Sequence, residues 1–276
     1  MSDRTFFHHP RPLVFAHRGG CALGPENTIA AFDLGLAAGA DGLELDVHLS
    51  ADGVPVVHHD GTLDRTTSAS GPIGARTVDE LARVDAGYHF LDARGAFAFR
   101  SQRIGVPTLA EALARYRDVP IIVEMKVDSA EMGHAVVAAV RAAGAADRVC
   151  AAGYGLRALR AARLALPEMA SSASQPEVRL ALYRSWAGIP VRRAPYGGYQ
   201  VPEFAGRLRV VSPRFIGHAH RHGLCVQVWT VDERVDMERM LAWGADALIS
   251  NRPDLAVKVR DRFVDALPTI AAARGR

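Results

Sequence analysis

Three cysteines in 276 residues, Cys21, Cys150 and Cys225, are too few, too widely spaced and odd in number for a disulfide framework or a zinc ligand set. A reducing compartment is the expected setting. No apolar run is long enough to cross a membrane. Residues 1–12 offer only Phe6-Phe7 where a secretory leader needs a continuous apolar stretch. A cytoplasmic protein with no integral membrane segment is therefore expected. A block of one charge is missing too: 33 Lys and Arg are scattered among 30 Asp and Glu, for a net charge of +3. Neither a nucleic-acid footprint nor a basic membrane patch is expected from that balance. Internal repeats, low-complexity tracts and long linkers are also lacking. What is present is 49% hydrophobic residues, in a length that suits one large α/β domain or two small ones.

Short apolar runs alternate with longer amphipathic segments, which is a βα rhythm. Strands are expected near Leu13–Ala16, Gly42–Val47, Pro120–Met125, Arg148–Ala151, Met169–Ser172, Gln200–Val201, Leu224–Trp229 and Ala247–Ile249. Helices are expected over Thr28–Ala38, Leu109–Arg117, Ala130–Ala143, Leu156–Leu164, Pro213–Arg221 and Arg234–Trp243. Eight such units fit a (β/α)8 TIM barrel, for which about 250 residues is typical. An open doubly wound sheet is the alternative. The fifth and sixth strands carry the weakest signal, because 169–174 is polar and 195–202 is rich in Gly and Pro. Residues 61–105 break the rhythm with Gly, Ser, Thr and charge, apart from a short helical pattern at Val78–Val84. They read as a small insertion after the second strand of a single domain spanning 1–276, either lying over a pocket or packing only on the surface.

The chemistry sits at the ends of the apolar runs. Glu44 and Asp46 are two residues apart in a predicted strand and so face one side. Glu124 ends the run Ile121-Ile122-Val123, with Lys126 two residues on. Three carboxylates brought together without a counter-charge would raise at least one pKa sharply, and a divalent cation removes that conflict. All-oxygen ligands favour Mg²⁺, Ca²⁺ or Mn²⁺ over zinc and leave coordination positions for water and substrate. The plainer alternative is that Glu124 pairs with Lys126 and Asp46 caps a turn. His17 and one of His58 and His59 are candidates for proton transfer at near-neutral pH. Periodicity does not choose between His58 and His59, since neighbours on a strand face opposite ways. Arg18 and Lys126 add a forked donor and a point charge, a set that suits a phosphodiester better than a carbonyl. His17-Arg18, Glu44/Asp46, His59-Asp60, Glu124/Lys126 and Trp229 all stand at carboxyl ends of predicted strands, which in a parallel barrel share one face. His8, His9, His48, His89, His134, His218, His220 and His222 read as surface residues. His218 and His222 lie one helical turn apart but have no acidic partner in the pattern.

The order of these motifs resembles the glycerophosphodiester phosphodiesterase family. The matching runs are Ala16-His17-Arg18-Gly19-Gly20, Pro25-Glu26-Asn27-Thr28, Gly42 to Val47, Val56-Val57-His58-His59-Asp60 and Leu63-Asp64-Arg65-Thr66-Thr67. Pro107 to Glu111, Val123 to Lys126, Val228 to Val231, Gly244-Ala245-Asp246 and Arg252-Pro253-Asp254 continue the match, so the resemblance spans Leu13 to Leu255. It implies a (β/α)8 barrel and metal-dependent hydrolysis of glycerophosphodiesters to an alcohol and glycerol 3-phosphate. By the same resemblance His17 and His59 form the acid/base pair, and Glu44, Asp46 and Glu124 hold one Mg²⁺ or Ca²⁺ ion, or Mn²⁺. Arg18 and Lys126 would bind phosphate oxygens, Trp229 would pack against glycerol, and Glu26 and Asn27 would brace the site. The partner is then a small-molecule phosphodiester. Two departures, Gly153-Tyr154 where many members have Ser-Phe and Ser250-Asn251 where Thr-Asp is common, lie at the pocket rim and bear on leaving-group preference. The rival activities are a lysophospholipase D reaction on longer-chain lysophospholipids, served by an apolar groove around the insertion, and a metal-dependent barrel lyase.

Overall fold

Alternation of side chains along each strand builds the molecule from the inside out. The computed structural model describes residues 6–274, with side chains through Ala266. It begins with β1 (Leu13–His17), α1 (Ile29–Ala37), β2 (Gly42–Leu49) and β3 (Pro55–Val57). A 3₁₀ turn at Ile73–Ala75, α2 (Val78–Leu81) and α3 (Leu109–Arg115) lead to β4 (Ile121–Met125), α4 (Ala130–Ala142), β5 (Val149–Ala152) and α5 (Leu156–Ala165). Then come β6 (Ala170–Ser171), α6 (Gln175–Ala187), β7 (Gly198–Pro202), the small hairpin of β8 (Phe204–Ala205) and β9 (Leu208–Arg209), and α7 (Pro213–Arg221). Last are β10 (Cys225–Trp229), α8 (Arg234–Trp243), β11 (Ala247–Ser250) and α9 (Pro253–Arg274).

Eight parallel strands form a nearly closed barrel in the order β6-β5-β4-β2-β1-β11-β10-β7. The first and last strands of that order meet through a single bridge, Ser172 to Gly198, with Gly197 N donating to Ser171 O at 3.1 Å. This circular order is a TIM barrel and rules out the open doubly wound sheet. β3 is not one of the eight: it runs antiparallel on the end of β2, pairing Val47 with Val57. The span 1–276 drawn from the sequence extends at both ends beyond the described residues.

Outward-facing Leu43, Leu45 and Val47 of β2 and Ile121, Val123 and Met125 of β4 pack with Leu113, Val136 and Leu159 from the surrounding helices. Val226 and Val228 of β10 do the same against Phe215, Ile216 and Met240. Inside the barrel lie Phe15, Ile122, Cys150, Ala170 and Ile249. Phe6 and Phe7, from the segment that looked polar in sequence, are buried there too. Phe7 O accepts from Cys225 Sγ at 3.2 Å, and the Phe7 ring lies against Gly198, so the pair closes the amino-terminal end of the barrel. A Cβ on Gly198 would meet Cys225 O at 2.8 Å and the Phe7 ring at 2.9 Å, which explains a glycine in that strand.

α6 has no counterpart among the expected helices. Its exposed Leu180, Tyr183 and Trp186 blur the apolar stripe on which a helix assignment depends. Its ends are nonetheless marked, by Glu177 accepting from Ser174 N at 2.7 Å and by Gly188 at φ +69°. The 61–105 stretch contributes Leu63, Ile73, Leu81 and Ala86 to a separate apolar cluster beneath it.

Candidate active site

The register of the barrel decides which polar side chains meet. His17 is paired with Glu44, and Asp46 with Glu124, so the inward-facing ends of β1, β2 and β4 converge. One ligand atom from each of Glu44, Asp46 and Glu124 lies within 4.8 Å of the others. Just past β1 the chain turns through Arg18, Gly19 and Gly20, all at positive φ. A Cβ on Gly19 would approach the Phe32 ring to 2.6 Å, so only glycine lets α1 pack that closely behind the turn. The turn aims Arg18 N at Glu44 Oε2 (3.0 Å) and its guanidinium at Glu26 (2.9 Å) and Asp46 (3.3 Å). Asn27, also at positive φ, clamps Asp46 from both sides: its Nδ2 donates to Asp46 Oδ2 at 2.8 Å and its Oδ1 accepts from Asp46 N at 3.1 Å. Lys126 Nζ donates to Glu124 Oε1 at 3.0 Å and sits 3.1 Å from Asp46 Oδ1. The Glu124–Lys126 pair and the carboxylate cluster thus coexist.

Burial, with the charges of Asp46 and Glu124, holds the Glu44 carboxyl well above the ordinary carboxylate range. Burial and Asp46 raise Glu124 as well, against the pull of Lys126. Lys126 is raised: burial works against its charge, but Asp46 and Glu124 win. Asp46 Oδ1 is buried, with the Lys126 ammonium 3.1 Å away as its charged neighbour. Three clustered carboxylates, two of them raised by burial and by one another's charge, are the oxygen donors that a hard divalent cation satisfies. The residues present fit such an ion.

Both candidate histidines are tied on their outer nitrogen. Asn251 Nδ2 donates to Asp232 Oδ2 at 2.6 Å, which turns Asn251 Oδ1 toward His17 Nδ1 at 2.6 Å. An amide oxygen only accepts, so Nδ1 of His17 carries the proton and Nε2 faces the cleft, 3.8 Å from Glu44 Oε2. Burial lowers the His17 pKa, opposed by the Asn251 hydrogen bond and reinforced by Arg18. His59 Nδ1 lies 2.6 Å from Asp60 Oδ1. Asp60 is held below the usual carboxylate range by a hydrogen bond from Arg65, despite some burial, so it accepts and His59 Nδ1 donates. Arg65 also forks onto Glu26 at 2.7 and 2.8 Å. Burial alone would raise Glu26, but the hydrogen bonds from Arg65 and the charge of Arg18 pull it down to about 2.

A cavity of about 100 Å³ joins His17, Arg18, Glu44, His59, Glu124, Lys126 and Trp229. It opens into a second cavity of about 320 Å³, with Glu124, Ala152, Tyr154, Gln200 and Trp229 in both walls. The Tyr154 and Trp229 rings meet edge to face at 6.0 Å.

Every residue singled out for the site therefore comes to one face. His59 arrives by a different route from the one expected, on the turn after the antiparallel β3 rather than at a barrel strand's end. His58 points away, Nε2 to Thr62 O at 3.1 Å. Two histidines read as surface residues are buried instead: His48, against His59 O, and His218, against Ile189 O. His48 shares the face of β2 that carries Glu44 and Asp46, His218 lies on the buried face of α7 beside Phe215 and Ile216, and a backbone carbonyl satisfies each ring. Asp232, Asp60 and Arg65 were not assigned roles from the sequence. Asp60 had a signal, its adjacency to His59; Asp232 had none, because its partner Asn251 is brought to it only by the fold.

Residues 17–255 match the model of the Glycerophosphoryl diester phosphodiesterase family. The chain is similar to a glycerophosphodiester phosphodiesterase of Caldanaerobacter subterraneus subsp. tengcongensis, with 31% identity over 255 residues covering 90% of this chain and 98% of that one. It is also similar to the crystal structure of a glycerophosphodiester phosphodiesterase from Agrobacterium tumefaciens, with a TM-score of 0.71 and 28% identity over 89% of this chain and 99% of that one. An Oleispira antarctica phosphodiesterase, solved in complex with the product sn-glycerol-3-phosphate, aligns at a TM-score of 0.75 with 25% identity, over 91% of this chain and 97% of that one.

Proposed function

This chain belongs to the glycerophosphoryl diester phosphodiesterase family, and from that premise we propose that it hydrolyses glycerophosphodiesters to an alcohol and glycerol 3-phosphate. The observation that carries this reading is a pair of histidines, each bound through Nδ1 to an outer acceptor, lining one cavity with Arg18, Lys126, Glu44 and Glu124. The product bound to the Oleispira antarctica relative supports the choice of glycerol 3-phosphate.

In this mechanism Arg18 and Lys126 bind the phosphoryl oxygens, and Trp229 packs against the glycerol. One of His17 and His59 removes a proton from the attacking oxygen, that of water or of the glycerol 2-hydroxyl, and the other protonates the departing alkoxide; after attack by the 2-hydroxyl, water opens the cyclic phosphate to glycerol 3-phosphate. Glu44, Asp46 and Glu124 would hold one Mg²⁺ or Ca²⁺ ion, or Mn²⁺, which when bound would supply positive charge beside the phosphoryl group. Asn251 with Asp232, and Asp60 with Arg65, keep each imidazole in the tautomer this requires. The same reading takes 61–105 as an insertion in a single barrel domain and places the protein in the cytoplasm. Among the described residues no helix is long and apolar enough to cross a membrane.

The test is glycerol 3-phosphate release from glycerophosphocholine and glycerophosphoethanolamine, with Mg²⁺, Ca²⁺, Mn²⁺ or a chelator, read by a coupled dehydrogenase. Metal-dependent product is expected from at least one diester. His17→Ala and His59→Ala should each lower kcat by about 10²–10⁴-fold with the far-UV spectrum unchanged. A folded, metal-loaded sample that releases no product sinks the reading, and near-normal rates in either variant remove that histidine from its role.

A further inference from the structure

We infer that the outer face of α5 and α6 is a docking surface for an anionic phospholipid bilayer, held by exposed arginines and by the tips of leucine, tyrosine and tryptophan side chains. It goes beyond the proposed hydrolysis and does not depend on it. Residues 155–202 carry seven arginines against two glutamates, with no lysine or aspartate, a net charge of +5 where the whole chain has +3. The remainder of the chain therefore stands at −2. Chain-wide mixing of charge, from which no basic membrane patch is expected, conceals this local excess. Of the two carboxylates, Glu177 is already taken by Arg163 at 2.8 Å, in the ion pair that ties α6 to α5. Glu168 stays exposed, in the turn after α5. Arg157 and Arg160 of α5, Arg179 of α6, and Arg192 and Arg193 in the segment after it are exposed and have no carboxylate partner among the described residues.

Exposed apolar side chains stand among those arginines. Leu164 of α5 is 73% exposed, and Leu180, Tyr183 and Trp186 of α6 and Ile189 beyond its end are each between 43% and 53% exposed. On α6 these positions lie opposite the buried Ala181, Leu182 and Ser185, so they form one outward stripe, with Arg179 in it. On α5, Arg160 lies one turn from Leu164. The Tyr183 and Trp186 rings meet edge to face at 5.5 Å. The two helices follow β5 and β6, which are neighbours in the sheet, so both stripes stand on one flank of the barrel. Apolar tips rimmed by arginine stems, with indole and phenol rings among them, suit the headgroup level of a bilayer. The guanidinium groups supply the charge that anionic lipids complement. A second copy is the poorer occupant, because a twofold axis through this face would set the same arginines against one another. Docking by the flank leaves the cleft at the carboxyl ends of the strands open to water.

The experiment is co-sedimentation of the full chain with vesicles of phosphatidylcholine alone, and of phosphatidylcholine and phosphatidylglycerol in equal parts. We expect binding to the anionic vesicles at about 0.1 M salt, none to the neutral ones, and most of the binding lost at about 1 M salt. Each arginine held at an anionic leaflet is worth about fivefold in affinity, so Arg192→Glu with Arg193→Glu should weaken partitioning by about 25-fold or more. Tyr183→Ser with Trp186→Ser should weaken it by about tenfold. Far-UV spectra and melting temperatures matching the parent establish that each pair of surface substitutions leaves the fold intact. Trp186 emission should also move to shorter wavelength on the anionic vesicles, a shift that Trp186→Phe removes while still binding. The inference is overturned by sedimentation with neither vesicle, by equal sedimentation with both, or by a folded variant of either pair that binds like the parent. Binding to heparin without binding to vesicles overturns it in favour of a polyanionic partner. A dimer lost in Trp186→Ser, again without vesicle binding, overturns it in favour of a second copy.

Discussion

Glu44 is the residue on which the electrostatics of the site turn. Burial and two neighbouring carboxylates raise its pKa in the folded chain, so without a cation the native state favours the protonated acid. The linkage then has a definite sign. A carboxyl whose native pKa lies above its unfolded value contributes stability at low pH, and loses it as pH rises through the ordinary carboxylate range and beyond. A divalent cation takes the proton's place, so its stabilising effect should grow as pH rises from the ordinary carboxylate range toward neutrality. Glu44→Gln should raise the melting temperature of the chelated protein at the upper end of that range and lose most of the metal-induced rise. Thermal melts with and without Mg²⁺ or Ca²⁺ check both, and a full metal response in the variant would remove Glu44 from the ligand set. At this scale the three carboxylates and His17 were legible because each sits at a strand end in a dense motif, whereas His59, on the turn after β3, was told from His58 only by the family resemblance. Asp232 was not, since its hydrogen bond reaches His17 through Asn251, 234 residues from His17 in the chain.

Among the elements, α3 shows that a motif matching a family signature can be structural rather than catalytic. Thr108 Oγ1 accepts from Glu111 N at 3.1 Å, and Glu111 Oε2 accepts from Thr108 N at 2.7 Å, a reciprocal cap at the helix start. Pro107 O accepts from Val57 N at 2.7 Å, so the capped end also anchors β3, the strand that delivers His59. Thr108→Ala should therefore cost about 1 kcal/mol in urea unfolding. Its kcat/KM should stay within about twofold, because the cap touches no group in the cleft. A loss of activity well beyond the loss of folded protein would instead mean that the cap sets the position of His59. Helices with a clean apolar stripe, such as α4 and α7, were legible to within two residues. α6 was not, because exposed apolar side chains interrupt its periodicity although its capping residues are in place. β3 was hidden differently: three residues pairing antiparallel with β2 carry no period of their own.

The whole barrel depends on a plug that arrives before its first strand. Phe6 stacks on Phe15 with ring centroids 5.9 Å apart, and Phe7 fills the space that Gly198 leaves open. Phe7→Ala should cost about 3–5 kcal/mol, read as a lower denaturation midpoint. The folded fraction should keep its KM, since the cavity lies at the opposite end of the strands. A midpoint near that of the parent would show that the barrel closes without the plug. The sequence by itself determined which side chains face inward along each strand, because a period of two is a local property of extended backbone. It put Glu44 and Asp46 on one face for the same reason, and the alternation of apolar runs with amphipathic segments set the eightfold rhythm, while His59 was preferred to His58 only through the family resemblance. Only the tertiary structure decided that Asn251 holds His17, that Phe6 and Phe7 close the barrel floor, and that an apolar space opens beyond Trp229. Those depend on the register and closure of strands distant in sequence, which no local pattern encodes.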